Sequence, residues 1–270
     1  MTASAPSTAT APSPSRRGTR RPAEGEVWVW WSSASGDIAS LGALAGFMND
    51  DERRRFEAMR RPQARDQFAL GCALMRVAAG HHLGAAPGDV LVERRCVSCG
   101  GPHGKPRILG DSGLEISLSH TDGHVVCAVA RGTPVGVDVE DGATLMNGDL
   151  LAGDILAPRE AEVYRQLRPE HRRSALLTYW TRKEAVLKAT GHGLRVPMRR
   201  LELSGPAEEP RLLRWSGRPE PPRVTLRTLY GPASSYLGHA AAALAVLGEP
   251  PQLIELDAEP AFAPWRDHDG

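Results

Sequence analysis

Leu114-Glu115-Ile116-Ser117-Leu118-Ser119-His120, then Thr121-Asp122-Gly123, then His124-Val125-Val126-Cys127-Ala128-Val129-Ala130, and, after Arg131-Gly132-Thr133-Pro134, Val135-Gly136-Val137-Asp138-Val139-Glu140: this stretch decides the fold. Two apolar runs meeting at an Asp-Gly pair predict a hairpin. The β-branched run that follows predicts another strand. Side chains alternate faces along a strand, so Val137 and Val139 point one way and Asp138 and Glu140 the other. Two carboxylates side by side repel each other. They are comfortable only with a cation between them or with water around them. An edge strand with a wet polar face is the plainer of these two readings.

Upstream of the hairpin, the VWVWW run after Glu26 predicts a buried strand where ordered structure begins. Asp50 and Asp51 are placed to cap a helix through ERRRFEAMRR. A second helix is expected after Pro62, with Phe68, Leu70, Leu74 and Val77 among its apolar residues. DVLVERR predicts a strand, and CVSCGGPHGKP a Gly/Pro-rich loop. Downstream, Pro158 opens a short helix. A longer one runs from about Pro169 to Thr190 and stops at Gly191. RRLEL, RVTLRTLY and AAALAVLG alternate with Pro/Gly turns as strands.

These elements predict an α+β chain of two similar α+β halves in tandem, with the active site at their junction. The expected divisions are a disordered tail over residues 1–25, one half over 26–134, a second over 135–248, and a loosely packed tail over 249–270. The first residues are dominated by Ala, Ser, Thr, Pro and Arg, with no acid before Glu24, and bury too little apolar surface to fold. The 270 residues are 41% hydrophobic, enough for one large core or two smaller ones. A net charge of +1 gives no electrostatic case for nucleic acid or membrane partners. No run of about 18 apolar residues exists to cross a bilayer. Four cysteines in a chain this long, with no apolar export signal, point to a reducing cytoplasm and free thiols.

Trp180-Thr181-Arg182-Lys183-Glu184-Ala185-Val186-Leu187-Lys188 lies on the long helix. At about 100° per residue, Leu176, Tyr179, Trp180 and Leu187 form an apolar stripe. Lys183 falls inside it, Glu184 at its edge, and Lys188 one turn further along. Charges beside a buried face are costly unless they are paired or bind something. A solvated Glu-Lys pair at i,i+4 is the alternative. Taken with Asp138 and Glu140, Glu184 completes a hard oxygen site suited to magnesium, with Lys188 standing near phosphates. No Walker loop or GxGxxG turn is present. Gly104-Lys105-Pro106-Arg107 suits a phosphate or a solvated basic loop equally. Ser119 and His120, ending a strand, have hydrogen bonds to give to phosphate oxygens, with a satisfied surface histidine as the plainer reading of His120.

The order GKP, SLSH, GVDVE, WTRKEAVLKATG resembles the 4′-phosphopantetheinyl transferases, over roughly residues 26 to 248. It looks like the two-halved monomeric type that activates peptide and polyketide synthases, as in antibiotic biosynthesis. That resemblance implies transfer of the phosphopantetheine arm of coenzyme A to a serine of an acyl or peptidyl carrier protein, releasing adenosine 3′,5′-bisphosphate. It implies that Asp138, Glu140 and Glu184 hold Mg2+ against the pyrophosphate, with Glu184 and Lys188 catalytic. Arg55, Arg65, Gly104, Lys105, Pro106, Arg107, Ser119, His120, Thr121, Asp138 and Lys188 would contact the coenzyme, His120 and Lys105 near the 3′-phosphate. This sequence departs from the family in having Gln67 and Phe68 where a basic residue is usual, so Arg65 is the substitute. Two halves in one chain complete a site without a second copy, so a monomer is expected. A non-catalytic carrier-binding module, or a magnesium phosphotransferase with another donor, are the competing readings. The clustered acids speak against the first and the missing phosphate loop against the second.

Cys96, Cys99 and His103 offer two thiolates and an imidazole, a partial zinc set with no fourth ligand at a standard spacing. A surface loop with two free cysteines is the alternative.

Overall fold

Strand β1 (Glu26–Ser33) sets the layering. Its side chains alternate, and every one from Glu26 to Ser32 is buried. Trp28 and Trp30 face helix α2 (Pro62–Leu83), joining Phe68, Leu70 and Leu74 in one core. Val27, Val29 and Trp31 face the other way, into a second core with Val137, Val139, Leu244 and Val246. A strand buried on both faces reads as a continuous apolar run, as VWVWW does. The computed structural model describes residues 23–33, 44–110, 113–142, 148–217, 223–232, 240–249 and 251–262. The tail expected over residues 1–25 lies, up to residue 22, outside them.

The first sheet has the order β11-β1-β5-β4, built from β4 (Leu114–Thr121), β5 (His124–Arg131) and β11 (Gln252–Asp257). The predicted hairpin is β4–β5, turning at Asp122-Gly123. The second sheet has the order β6-β10-β9, from β6 (Val135–Glu140), β9 (Val224–Leu229) and β10 (Ala241–Leu247). The two sheets share the valine-rich core. Helix α5 (Pro169–Ala189) covers the far side of the second sheet, where Ala243 and Ala245 meet Ala185 and Leu187. Shorter elements complete the chain: α1 (Asp50–Ala58), β2 (Val92–Glu93), β3 (Arg107–Ile108), α3 (Gly148–Ile155), α4 (Pro158–Gln166), β7 (Leu201–Leu203), β8 (Leu212–Trp215) and α6 (Glu259–Phe262). The class is α+β.

Three expectations need correction. Residues 252–262, within the stretch expected to pack loosely, are well anchored. Gln252–Asp257 pairs in parallel with β1, Trp31 Nε1 donates to Glu255 Oε2 at 2.9 Å, and Phe262 is buried. Pro251 precedes this strand instead of interrupting it, and proline is tolerated at a strand's start. The cap of α1 is Asn49, not Asp50 or Asp51. Asn49 Oδ1 accepts from Glu52 N at 2.9 Å while Glu52 Oε2 accepts from Asn49 N at 3.0 Å, a complete capping box. DVLVERR yields only the two residues of β2, paired with β3.

Small residues let β6 lie close against α5. A Cβ built on Gly136 would land far inside contact distance of the Ala185 carbonyl oxygen and the Ala189 amide nitrogen, both helix backbone. Backbone cannot yield as a flexible side chain can. Gly136→Ala is therefore expected to cost about 3 kcal/mol, read as a lower urea midpoint at unchanged m-value.

Candidate active site

Strands β4 and β6 are edge strands of different sheets, and hydroxyls rather than a backbone ladder stitch them together. Ser117, Ser119 and Thr121 recur at period two and share one face of β4. Ser117 Oγ accepts from Val137 N at 3.0 Å, Ser119 Oγ donates to Asp138 Oδ1 at 2.8 Å, and Thr121 Oγ1 donates to Asp141 Oδ2 at 2.8 Å. The seam delivers Asp138 to the interior, 2% exposed. That excludes the wet edge strand considered for it.

Lys188 reaches this seam from α5. Its Nζ donates to Asp138 Oδ1 at 2.7 Å, Ser119 Oγ at 2.9 Å, Val137 O at 3.1 Å and Leu118 O at 3.4 Å. Its ion pair is with Asp138, so the solvated i,i+4 pair with Glu184 is not formed. One turn earlier on the helix, Glu184 is 9% exposed. Burial pushes its carboxyl up to about 7, Asp138 and Glu140 add to the shift, and Lys188 opposes it. Burial likewise raises Asp138, against Lys188. Asp138 Oδ2 and Glu184 Oε1 are buried with no hydrogen-bond partner among the described residues. Two orphaned carboxylate oxygens in one cleft are costly as they stand and suit a hard divalent cation. Asp138, Glu140 and Glu184 therefore fit magnesium by donor chemistry.

This has a measurable cost without metal. Glu184 ionises near its ordinary 4.5 in the unfolded chain but near 7 in the fold. Between these values the folded protein holds a proton the unfolded chain has released, so stability falls as pH rises. The loss above pH 7 approaches roughly 3 kcal/mol. Thermal unfolding in EDTA is expected to show this slope in the wild type and to lose it in Glu184→Gln.

The cleft has a volume of about 310 Å³. Its acids are Asp138, Glu140 and Glu184, and facing cations are Arg55, Arg94 and Lys188, with Ser119 and His120 also lining it. His120 has its pKa lowered, by desolvation first and then by the charges of Lys188, Arg94 and Arg55. A neighbouring cleft of about 470 Å³ shares Arg55, Phe68 and Arg94 with it. The two clefts adjoin along these three residues, and the second is lined by Asp51, Glu52 and Glu93 as well as by Arg95.

Sequence reasoning missed Arg94, whose Nε is buried without a partner among the described residues. Desolvation lowers its pKa first of all. The only signal was a basic pair, Arg94-Arg95, closing an apolar run. Gln67 also lines the cleft, its amide donating to Thr121 O at 3.2 Å. Other expected residues do not line it. Thr121 commits its hydroxyl to the seam. Arg65 stacks on the Phe56 ring. Lys105 pairs with Glu115 at 3.1 Å and approaches the Ala189 carbonyl at the end of α5. Gly104, Pro106 and Arg107 follow the loop and β3, outside the acid-lined cleft.

Residues 134–245 match the family described as the 4′-phosphopantetheinyl transferase superfamily. The 4′-phosphopantetheinyl transferase HetI of Nostoc sp. is 35% identical over 173 residues, 63% of this chain and 70% of that protein. A 4′-phosphopantetheinyl transferase of Bacillus subtilis is 26% identical, covering 48% of this chain and 54% of its own length. A holo-(acyl-carrier-protein) synthase of Bacillus anthracis, solved with coenzyme A (3′,5′-ADP), superposes with a TM-score of 0.34 at 21% identity, over 42% of this chain and 94% of that one. No helix among the described residues is long and apolar enough to cross a membrane.

Proposed function

The chain belongs to the 4′-phosphopantetheinyl transferases, and from that premise we propose that it transfers the phosphopantetheine arm of coenzyme A to a carrier-protein serine, with Asp138, Glu140 and Glu184 holding magnesium. The observation that carries the metal assignment is the pair of orphaned oxygens, Asp138 Oδ2 and Glu184 Oε1, in one cleft with three cations. When bound, magnesium neutralises charge building on the pyrophosphate oxygens.

The chain's own residues supply the rest. Arg55 and Arg94 line the groove as fixed positive charges for the coenzyme phosphates, and Lys105 with His120 are assigned to the 3′-phosphate. The carrier serine Oγ bonds to the pantetheine-side phosphorus as the bond to the adenosine 5′-phosphate breaks. Glu184 accepts the serine proton, directly or through water. A carboxyl held near neutrality is matched to that task. Lys188, fixed by its acceptors on β4 and β6, stabilises or protonates the leaving adenosine 3′,5′-bisphosphate. Residues 26–134 and 135–248 are read as two similar halves, with the site at their junction and one copy sufficient. The sheets on either side of the hydroxyl seam, each with its long helix, support a two-part division, with β11 joining the first sheet from beyond residue 248. Exposed Arg53, Arg54, Arg60 and Arg61 on one side, and Arg195, Arg199 and Arg200 on the other, suit an acidic carrier protein by charge.

Calorimetric titration with coenzyme A tests the site. Affinity is expected to fall at least roughly tenfold when EDTA replaces magnesium. Unchanged binding in EDTA would overturn the metal assignment, and no binding at all would leave the carrier-binding module.

A further inference from the structure

Cys96, Cys99 and His103 have no role in the transfer chemistry, yet the loop between β2 and β3 brings these three metal-ligand side chains together. One ligand atom each from Cys96, Cys99 and His103 all lie within 4.8 Å of one another, and Cys99 Sγ is 3.0 Å from His103 Nε2. A tetrahedral zinc with Zn–S near 2.3 Å and Zn–N near 2.0 Å sets its ligand atoms roughly 3.5–3.8 Å apart. The loop thus needs only small side-chain adjustments to close around an ion.

The backbone is already folded for this. Cys96 N donates to Gly101 O at 2.8 Å and Gly100 N to Cys96 O at 2.9 Å, closing a tight turn through Gly100, whose φ is +72°. Within it, Gly101 N donates to Cys99 Sγ at 3.4 Å. Gly101 also fits between the ligands. A Cβ there would crowd the His103 ring at 3.2 Å and Cys99 Sγ at 3.3 Å.

We propose that Cys96, Cys99 and His103 bind one zinc ion, its fourth position open to solvent, as a structural clip distinct from the magnesium site. The loop's neck gives the clip its purpose. Gly104 N donates to Arg94 O at 3.1 Å, and Arg94 lines the coenzyme groove. Ser98 Oγ accepts from Arg195 at 3.2 Å, tying the loop to the turn after α5. Zinc fixes the loop that presents Arg94 and Lys105.

The test uses the full chain, stripped of metal, reloaded with zinc and passed through gel filtration in magnesium buffer. One zinc per chain is expected to remain. Cobalt in its place is expected to give a strong thiolate charge-transfer band, and zinc to protect two thiols from alkylation. Cys72 and Cys127 are fully buried and do not compete. The C96S/C99S double variant, checked by circular dichroism, should lose all three signals. His103→Ala, which leaves both thiols, should weaken zinc binding by roughly 100-fold. Wild-type protein that retains no more zinc than the double variant, or cobalt without the thiolate band, would overturn the proposal.

Discussion

Glu184→Gln is expected to reduce phosphopantetheine transfer by roughly 100- to 1,000-fold while making the metal-free protein more stable above pH 7. The opposite signs are the point. Glutamine keeps the shape and one oxygen but removes a negative ligand and the proposed proton acceptor. It also relieves a carboxylate that the fold buries with one oxygen unpartnered and that ionises only near 7. An acid kept for packing would, when neutralised, change stability without collapsing the rate. Asp138→Asn is a less clean test, because Asp138 also anchors Lys188 and Ser119. Transfer within threefold of wild type at saturating magnesium would remove Glu184 from the mechanism.

Glu160→Ala is expected to have the largest effect on stability, a loss of about 3–5 kcal/mol. Glu160 and Lys183 form an ion pair with both side chains almost wholly enclosed. Glu160 also accepts from Ala157 N at 2.6 Å and Leu203 N at 2.7 Å, and Lys183 donates to Ile155 O at 2.6 Å. One pair therefore ties α3, α4, α5 and β7 together. Burial raises the Glu160 carboxyl and lowers the Lys183 ammonium, with each opposing the other's shift. Without Glu160 an ammonium and two backbone donors stay buried without their acceptor. For a chain of this size the unfolding midpoint drops by roughly 6–20 °C. Glu160→Leu combined with Lys183→Met should recover much of it, since an apolar pair avoids the desolvation cost. A loss under 1 kcal/mol in the single variant would show the pair to be solvated in practice.

Lys183 and Glu184 also show how far the sequence could be read. Both were charges at an apolar stripe, and the same reasoning flagged both as paired or ligand-bound. Only the fold separates them. Lys183 finds Glu160, a structural partner on another helix, whereas Glu184 Oε1 has no hydrogen-bond partner among the described residues and the side chain lines the cleft. Alternation alone put Asp138 and Glu140 opposite Val137 and Val139, and the structure keeps that division. It did not tell that β6 would be covered, because the cover is α5 packed on Gly136, a contact over a long sequence separation. The hairpin was legible from its Asp-Gly turn. Strand β11 was not, since its partner β1 lies more than two hundred residues away and its proline-rich approach reads as coil. Arg94 escaped for a similar reason: nothing local distinguishes a guanidinium turned into a groove from one in solvent.

Transfer is read directly from the intact mass of a purified acyl carrier protein after incubation with this chain, coenzyme A and magnesium. A gain of about 340 Da, one phosphopantetheine arm, is expected, one that requires magnesium and disappears when Glu184→Gln replaces the wild type. A carrier that stays at its apo mass across fatty-acid, polyketide and peptide types, while the chain binds coenzyme A tightly, would contradict it.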